Sequence, residues 1–136
     1  MATPPGTNVR GFLTDDEGEL LSALACEAGR LGPVLEIGSW CGRSTIWLAQ
    51  GAKLAGTVVL ALDHHRGSEE HQPGEMFFDA DLVDGEGRVD TLREFRRNIA
   101  QAGVEDTVIP IVAGTQQAQT ILPHTLGMVF IDGGHS

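Results

Sequence analysis

Residues 34–49, with the sequence VLEIGSWCGRSTIWLA, decide the fold of this 136-residue chain. The stretch opens with a short apolar strand carrying Glu36, passes through a turn with Gly38 and Gly42 four residues apart, and then begins a helix. Glycines let the backbone approach a ligand closely, and the first turn of a helix leaves N–H groups unpaired. The stretch therefore predicts a strand–turn–helix unit that binds a small polar ligand. The carboxylate of Glu36 suits a cation or hydroxyl groups better than a phosphate alone.

The composition limits the class of protein. A length of 136 residues, 41% of them hydrophobic, is enough for one domain with a real core. Two cysteines are too few for a disulfide framework, and no stretch approaches the roughly 20 apolar residues of a membrane helix. We therefore expect a cytoplasmic protein, with residues 1–12 as a loose leader and residues 13–136 as the folded domain.

The charge is acidic and unevenly spread. The net charge is −10, and residues 63–90 hold nine acidic side chains against two basic ones. Such a chain should repel nucleic acid and anionic membranes, so neither is expected as a partner. We interpret residues 64–87 as a long acidic loop, which is either a solvated connection or a loop on the substrate side of a site.

Hydrophobic periodicity and helix-end signals divide the chain into alternating helices and strands. Thr14 and Glu17 form a capping-box pattern that predicts the start of the first helix, and Thr91 and Glu94 repeat the pattern before a later helix. Strands are predicted at 34–37, 57–62, 107–112 and 128–131, and helices at about 14–29, 42–54, 91–103 and 115–122. This alternation predicts right-handed βαβ units and therefore an α/β fold with a parallel sheet.

Polar residues lie at the carboxyl ends of all four predicted strands. They are found at residues 36–38, at Asp63, at Gly114 with Thr115, and at Asp132. In an open α/β sheet the ligand crevice lies outside the carboxyl ends of the strands. The four polar clusters are therefore expected to meet at one edge of the sheet.

This ordered set of residues resembles the class I S-adenosylmethionine (SAM) methyltransferases. Residues 36–42 look like their first motif, acidic-x-Gly-x-x-x-Gly, and Asp63 stands where the family keeps an acidic residue after strand two. Residues 108–117 look like the approach to the adenine-side loop. Residues 130–135 are similar to the fourth motif of a subset that includes catechol-type O-methyltransferases, cephalosporin-hydroxylase-like and macrolide-sugar methyltransferases. The resemblance covers roughly residues 13–136 and implies a Rossmann-like three-layer α/β/α fold.

The resemblance also implies SAM as the cofactor. Asp63 would accept both ribose hydroxyls. Glu36 would lie near the methionine amino end of SAM, or would instead cap the turn. Ser44 would contact the SAM carboxylate or cap the helix. The full set implied for cofactor binding is Glu36, Gly38, Ser39, Gly42, Ser44, Asp63, Gly114, Thr115 and Gln116.

The catalytic residues implied by the resemblance are Asp132 and His135. In the related subset Asp132 would bind a divalent cation such as Mg²⁺, which would orient a substrate hydroxyl and lower its pKa. His135 is the expected general base, because a histidine pKa near ~6.5 suits proton removal at neutral pH. A solvated histidine is the alternative for His135. A zinc site is not expected, because the spacing of His64, His65 and His71 matches no zinc pattern.

The family sheet that this chain resembles has seven strands in the order 3-2-1-4-5-7-6, and the chain supplies the first four, in the order 3-2-1-4. We therefore interpret the sequence as truncated after strand four. Strand four would then be an exposed edge with unpaired backbone groups, and a homo-oligomer through that edge is an expectation.

These residues are compatible with three functions. The leading hypothesis is a SAM-dependent methyltransferase that transfers methyl to a hydroxyl of a small-molecule acceptor. The second is a non-catalytic SAM-binding fragment or half-domain that needs a partner. The third is a nucleotide-binding Rossmann oxidoreductase, which is disfavoured because residues 38–42 lack the pattern Gly-x-Gly-x-x-Gly.

Overall fold

A parallel sheet with helices on its faces forms the domain. The computed structural model of the protein describes residues 9–67 and 80–132. Within these residues the sheet has four strands in the order β3-β2-β1-β4, all parallel. The strands are β1 (Val34–Ile37), β2 (Val59–Leu62), β3 (Val108–Ile111) and β4 (Met128–Ile131), and the helices are α1 (Asp15–Ala28), α2 (Arg43–Ala55), α3 (Leu92–Gln101) and α4 (Thr115–Ala118). The predicted α/β class and the predicted order 3-2-1-4 are confirmed.

The strands end in register. Ile37, the last residue of β1, pairs with Leu62 at the end of β2 and with Ile131 at the end of β4. Leu62 in turn pairs with Ile111 at the end of β3. Because all four strands stop at the same level, the residues that follow them lie side by side along one edge of the sheet.

The first face of the sheet is covered by α1, α2 and α3. Val34, Val59 and Ala61 point into this core and are fully buried with Phe95 of α3. Helices α1 and α2 cross closely enough to require glycine. A Cβ on Gly18 would lie 2.3 Å from the ring of Trp47. This face is therefore tightly packed.

The second face of the sheet is less covered. Leu35, Leu60 and Leu62 are buried there against Ala118 of α4. On this same face, and in register with these leucines, Ile109, Val129 and Ile131 remain 46–70% exposed. Among the described strands β4 lies at one edge of the sheet.

The two predicted capping boxes have different outcomes. At the start of α1 the box forms, because the Thr14 hydroxyl accepts from the backbone of Glu17 while the Glu17 carboxylate accepts from the backbone of Thr14. At the start of α3 the prediction is wrong. The Thr91 side chain makes no cap bond there, and the carboxylate of Asp90 accepts from the backbone N–H of Leu92 at 3.0 Å.

The prediction of a helix at 115–122 is too long. The helix α4 comprises only Thr115–Ala118, and the chain continues into turns. None of the helices within residues 9–67 and 80–132 is long and apolar enough to cross a membrane.

Candidate functional site

The candidate site is built on the carboxyl edge of the sheet. The backbone bonding of the strands continues for one residue beyond each. Gly38 N–H donates to the Leu62 carbonyl at 2.9 Å, and Asp132 N–H donates to the Ile37 carbonyl at 2.8 Å. Asp63 N–H donates in the same way to the carbonyl that ends β3, at 3.1 Å. The structure therefore brings Gly38, Asp63 and Asp132 together, as the sequence predicts.

The turn between β1 and α2 has an unusual backbone. Gly38 and Gly42 have φ angles of +93° and +97°, and Trp40 between them has a φ of +47°. A positive φ at a residue other than glycine is uncommon and is found at functional sites more often than elsewhere. Gly42 is the N-cap of α2 and has no side chain to bond the first N–H groups of the helix. The turn therefore leaves donors of α2 available to a ligand.

Asp63 holds this turn in place. Its Oδ2 accepts from the backbone N–H of Trp40 at 2.7 Å, and its Oδ1 accepts from the backbone N–H of His65 at 2.8 Å. Each carboxylate oxygen has a second lone pair, so the group retains the capacity to accept from two further hydroxyls. Asp63 thus joins the loop after β2 to the loop after β1 across 23 residues of sequence.

Glu36 lies below the turn and is fully buried. The hydroxyls of Ser44 and Thr45, in the first turn of α2, both donate to its carboxyl group. Burial raises the pKa of Glu36 to about 7, and the two hydroxyls act in the opposite direction. The sequence leaves two roles open for Ser44, a contact with the ligand or a helix cap. The structure shows a third role, in which the Ser44 hydroxyl donates to Glu36.

Ser39 is the buried polar residue of the turn. Its side chain is 2% exposed. Its hydroxyl is near enough to Glu36 to favour the charged carboxylate, yet it makes no bond of hydrogen-bond geometry within the part of the chain that the structure describes. A buried hydroxyl without a partner is uncommon.

Asp132 differs from Glu36 in its surroundings. Its side chain is exposed at the surface, but the partial loss of water around it raises its pKa, and the charge of Glu17 adds to this effect. No group of three or more His, Cys, Asp or Glu residues within 9–67 and 80–132 is arranged to hold a metal ion. A divalent cation at Asp132 stays a prediction. The predicted base, His135, lies outside the described residues.

The predicted adenine-side residues lie at the start of α4. Thr115 and Gln116 are exposed, and Gly114 is half-buried in front of them. The Gly114 N–H donates to the side-chain oxygen of Gln117 at 3.0 Å, so that amide is already engaged. These residues follow β3, at the same edge of the sheet as Asp63.

One pair at this edge is missed by the sequence analysis. His65 follows Asp63 closely, and its ring nitrogen Nδ1 lies 2.7 Å from the Thr91 hydroxyl. The sequence shows two adjacent histidines after Asp63, but nothing in it indicates that only His65 turns inward. His65 is 2% exposed, whereas His64 is exposed. His71, the third residue of the disfavoured zinc pattern, lies outside the described residues.

The comparison with protein families finds one matching model. Residues 35–136 match a family described as a methyltransferase domain. The matched stretch begins within β1 and includes every residue of the predicted site. The expected family resemblance is confirmed.

Solved structures share this fold. Cofactor-bound Rv0187 from MTB is 27% identical with a TM-score of 0.63, and the match covers 94% of this chain and 48% of that protein. The O-methyltransferase from Bacillus cereus in complex with SAH is 28% identical with a TM-score of 0.60, covering 90% and 46%. A putative O-methyltransferase from Klebsiella pneumoniae, 24% identical with a TM-score of 0.59 and covering 90% and 45%, shares the fold. The chain spans about half the length of the structures it matches.

Proposed function

The chain belongs to the methyltransferase-domain family, and on this premise we propose that it binds SAM at the carboxyl edge of its sheet and serves methyl transfer to a hydroxyl of a small-molecule acceptor. The observation that carries the proposal is that the strands end in register. The glycine turn between β1 and α2 therefore lies next to Asp63. The solved O-methyltransferase from Bacillus cereus in complex with SAH supports both the cofactor and the acceptor atom.

Different residues of the chain would contact different parts of the cofactor. Asp63 would accept from the two ribose hydroxyls, a task that suits a carboxylate with two free lone pairs. Gly38 and Gly42 would allow the backbone to approach the methionine end, where the Ser39 hydroxyl has no hydrogen-bond partner among the described residues. Glu36 would act from beneath, through the hydrogen bonds that it receives from α2. Gly114, Thr115 and Gln116 would line the adenine side.

The chemistry needs an electrophile and a base. SAM supplies a methyl group on a positively charged sulfur. The acceptor oxygen would lose its proton to His135, form a bond to the methyl carbon and leave the former sulfonium as a neutral thioether. Asp132, at the end of β4, would orient the acceptor hydroxyl. Holding the two reactants in line supplies much of the rate enhancement in such reactions.

A divalent cation has no step in this proposal. The described residues offer Asp132 without a group of three ligands around it, and no role is assigned to Mg²⁺. The cytoplasmic location, the boundary at residues 12 and 13, the absence of nucleic-acid and membrane partners, and a homo-oligomer through the edge of β4 stay predictions.

A second function is favoured by a specific observation. The chain spans about half the length of the structures it matches. A SAM-binding half-domain without catalysis, complete only with a partner, is therefore the competing proposal.

Calorimetric titration with SAM, together with an assay for S-adenosylhomocysteine release from a panel of phenolic and sugar hydroxyls, tests both. Asp63→Asn should weaken SAM by about 10- to 100-fold, because a charged acceptor is lost. Asp106→Asn, at an exposed carboxylate remote from the edge, is the matched control. Binding without turnover would select the half-domain. Absence of SAM binding by the unchanged chain, with tight binding of NADH, would reject both proposals.

A further inference from the structure

His65 is a buried histidine for which the proposed chemistry has no use. It follows β2 by three residues and lies between the sheet edge and the start of α3. Its ring packs against the ring of Phe95, with the centroids 5.0 Å apart. A polar ring that is 2% exposed needs a reason, because burial without full hydrogen bonding costs free energy.

Within the described residues three hydrogen bonds tie His65 to its surroundings, and two of them involve Thr91. The Thr91 N–H donates to the His65 carbonyl at 2.9 Å, and Nδ1 lies 2.7 Å from the Thr91 hydroxyl. The third bond joins the His65 N–H to Oδ1 of Asp63 at 2.8 Å. His65 therefore links the carboxylate at the end of β2 to the first residue before α3. The Thr91 hydroxyl bonds His65 and does not cap that helix.

The backbone of His65 is held in an unfavourable conformation. Its φ is +62°, in the left-handed region that residues with a Cβ rarely adopt. Such a conformation persists only where surrounding contacts determine it, and these positions cluster at functional sites. The bonds to Thr91 and the packing on Phe95 are those contacts. The turn they impose is what directs the His65 N–H at Asp63.

We propose that His65 is the positioning residue of the cofactor site: by clamping the loop after β2 onto Thr91 it holds the Asp63 carboxylate in the orientation that receives the ribose hydroxyls. This inference rests on the proposed function. It assigns to His65 no contact with the cofactor. Cofactor affinity should depend on the His65 side chain, because that side chain orients the Asp63 carboxylate.

The protonation of the His65 ring makes the proposal testable through the pH dependence of cofactor binding. Nε2 has no hydrogen-bond partner among the described residues, so a protonated ring, which has a proton on both nitrogens, would bury an unsatisfied Nε2–H together with a positive charge. Burial lowers the pKa of His65, Asp63 and Asp90 act in the opposite direction, and His64 acts with burial. The ring is therefore neutral at neutral pH. As the pH falls through the lowered pKa of His65, the buried positive charge should loosen the clamp and weaken cofactor binding.

The test compares three variants of the full chain by SAM calorimetry and thermal unfolding. His65→Ala removes the ring and its bond to Thr91. His65→Asn retains a polar atom close to the position of Nδ1, tolerates a positive φ and does not titrate. His64→Asn, at the exposed neighbour, is the matched control.

At about pH 7.5 we expect His65→Ala to weaken SAM by roughly 10-fold, and His65→Asn to stay within about threefold of the unchanged chain. Between about pH 7 and pH 5 the unchanged chain should lose affinity more steeply than His65→Asn. This comparison cancels the titration of Glu36, which both proteins share.

Equal SAM affinity of His65→Ala and the unchanged chain would overturn the inference while leaving the proposed function intact. If His65→Ala does not fold, His65→Asn decides, and a pH profile identical to that of the unchanged chain overturns the inference. Failure of the unchanged chain to bind SAM would instead reject the proposed function, and the inference with it.

Discussion

The carboxyl group of Glu36 and the hydroxyl of Ser44 are hydrogen-bonded in the interior, beneath the first turn of α2. This bond joins the last part of β1 to the helix that follows the glycine turn. A second bond, from the Thr45 hydroxyl, ties the same carboxyl group to the first turn of α2. The geometry of the candidate site therefore depends on a carboxyl group that no solvent reaches.

Glu36→Gln should change how stability depends on pH. Burial raises the pKa of Glu36 from 4.5 to about 7, so the folded state binds a proton that the unfolded state releases. Between about pH 4.5 and pH 7, ionisation of Glu36 therefore removes stability as the pH rises, by up to about 3 kcal/mol. Urea unfolding across this range should show a smaller decline for Glu36→Gln. The exposed Glu105→Gln is the control, and equal slopes for all three proteins would contradict the prediction.

Thr45→Val should destabilise the domain although it hardly changes shape. Thr45 is fully buried, and its hydroxyl is one of the two donors to Glu36. Valine leaves an acceptor without its partner, at a cost of about 1–3 kcal/mol. Urea unfolding at pH 7 measures the loss. Thr120→Val, at an exposed position, should change stability little, and a similar loss in both variants would show that the hydroxyl is not the cause.

Gly51→Ala should disrupt the packing of α1 on α2. A Cβ at Gly51 would lie 2.0 Å from the carbonyl oxygen of Ser22 and 2.8 Å from the backbone nitrogen of Cys26. Both are backbone atoms, so the helices must separate, and we expect a loss of about 2 kcal/mol or more despite the better helix propensity of alanine. Thermal unfolding is the measurement. Gly85→Ala, where a Cβ meets no atom within 4 Å, should be nearly neutral.

Arg43→Lys should release the segment before α1. The Arg43 guanidinium donates to the carbonyls of Leu13 and Val9 at 2.6 and 3.1 Å, and to Asp15 at 3.0 Å. An ammonium group has no planar fork to reach three such acceptors, so we expect a loss of roughly 1–2 kcal/mol. Faster cleavage within residues 9–13 in limited proteolysis, with no change for the exposed Arg96→Lys, checks it. Unchanged cleavage would contradict the role given to Arg43.

Much of the site follows from local patterns. The alternation of apolar segments predicts the strands, and in a parallel sheet the residues after each strand share one edge. Asp63 and Asp132 were therefore predictable as neighbours of Gly38 before any contact was known. The glycine turn was predictable as well, because two glycines between a strand and a helix allow the positive φ angles of a tight turn.

One local pattern was misleading. The Thr91 and Glu94 pair has the spacing of a capping box, but Thr91 bonds His65, which lies 26 residues earlier. Glu94 instead pairs with Arg97. A capping pattern shows only which hydrogen bond is available within one turn of the chain. The hydroxyl can instead bond a residue that is distant in sequence.

The sequence by itself determined the order of elements, the glycine turn and the family, because periodicity and motif spacing are properties of short segments. Only the tertiary structure decided that Glu36 is buried and accepts hydrogen bonds from two hydroxyls. It also decided that His65 turns inward while His64 stays exposed. Those outcomes depend on which distant residues meet and on how much water is excluded when they do. Burial and long-range hydrogen bonding set the charge of a carboxyl group or an imidazole. The neighbouring residues in the sequence determine neither of them.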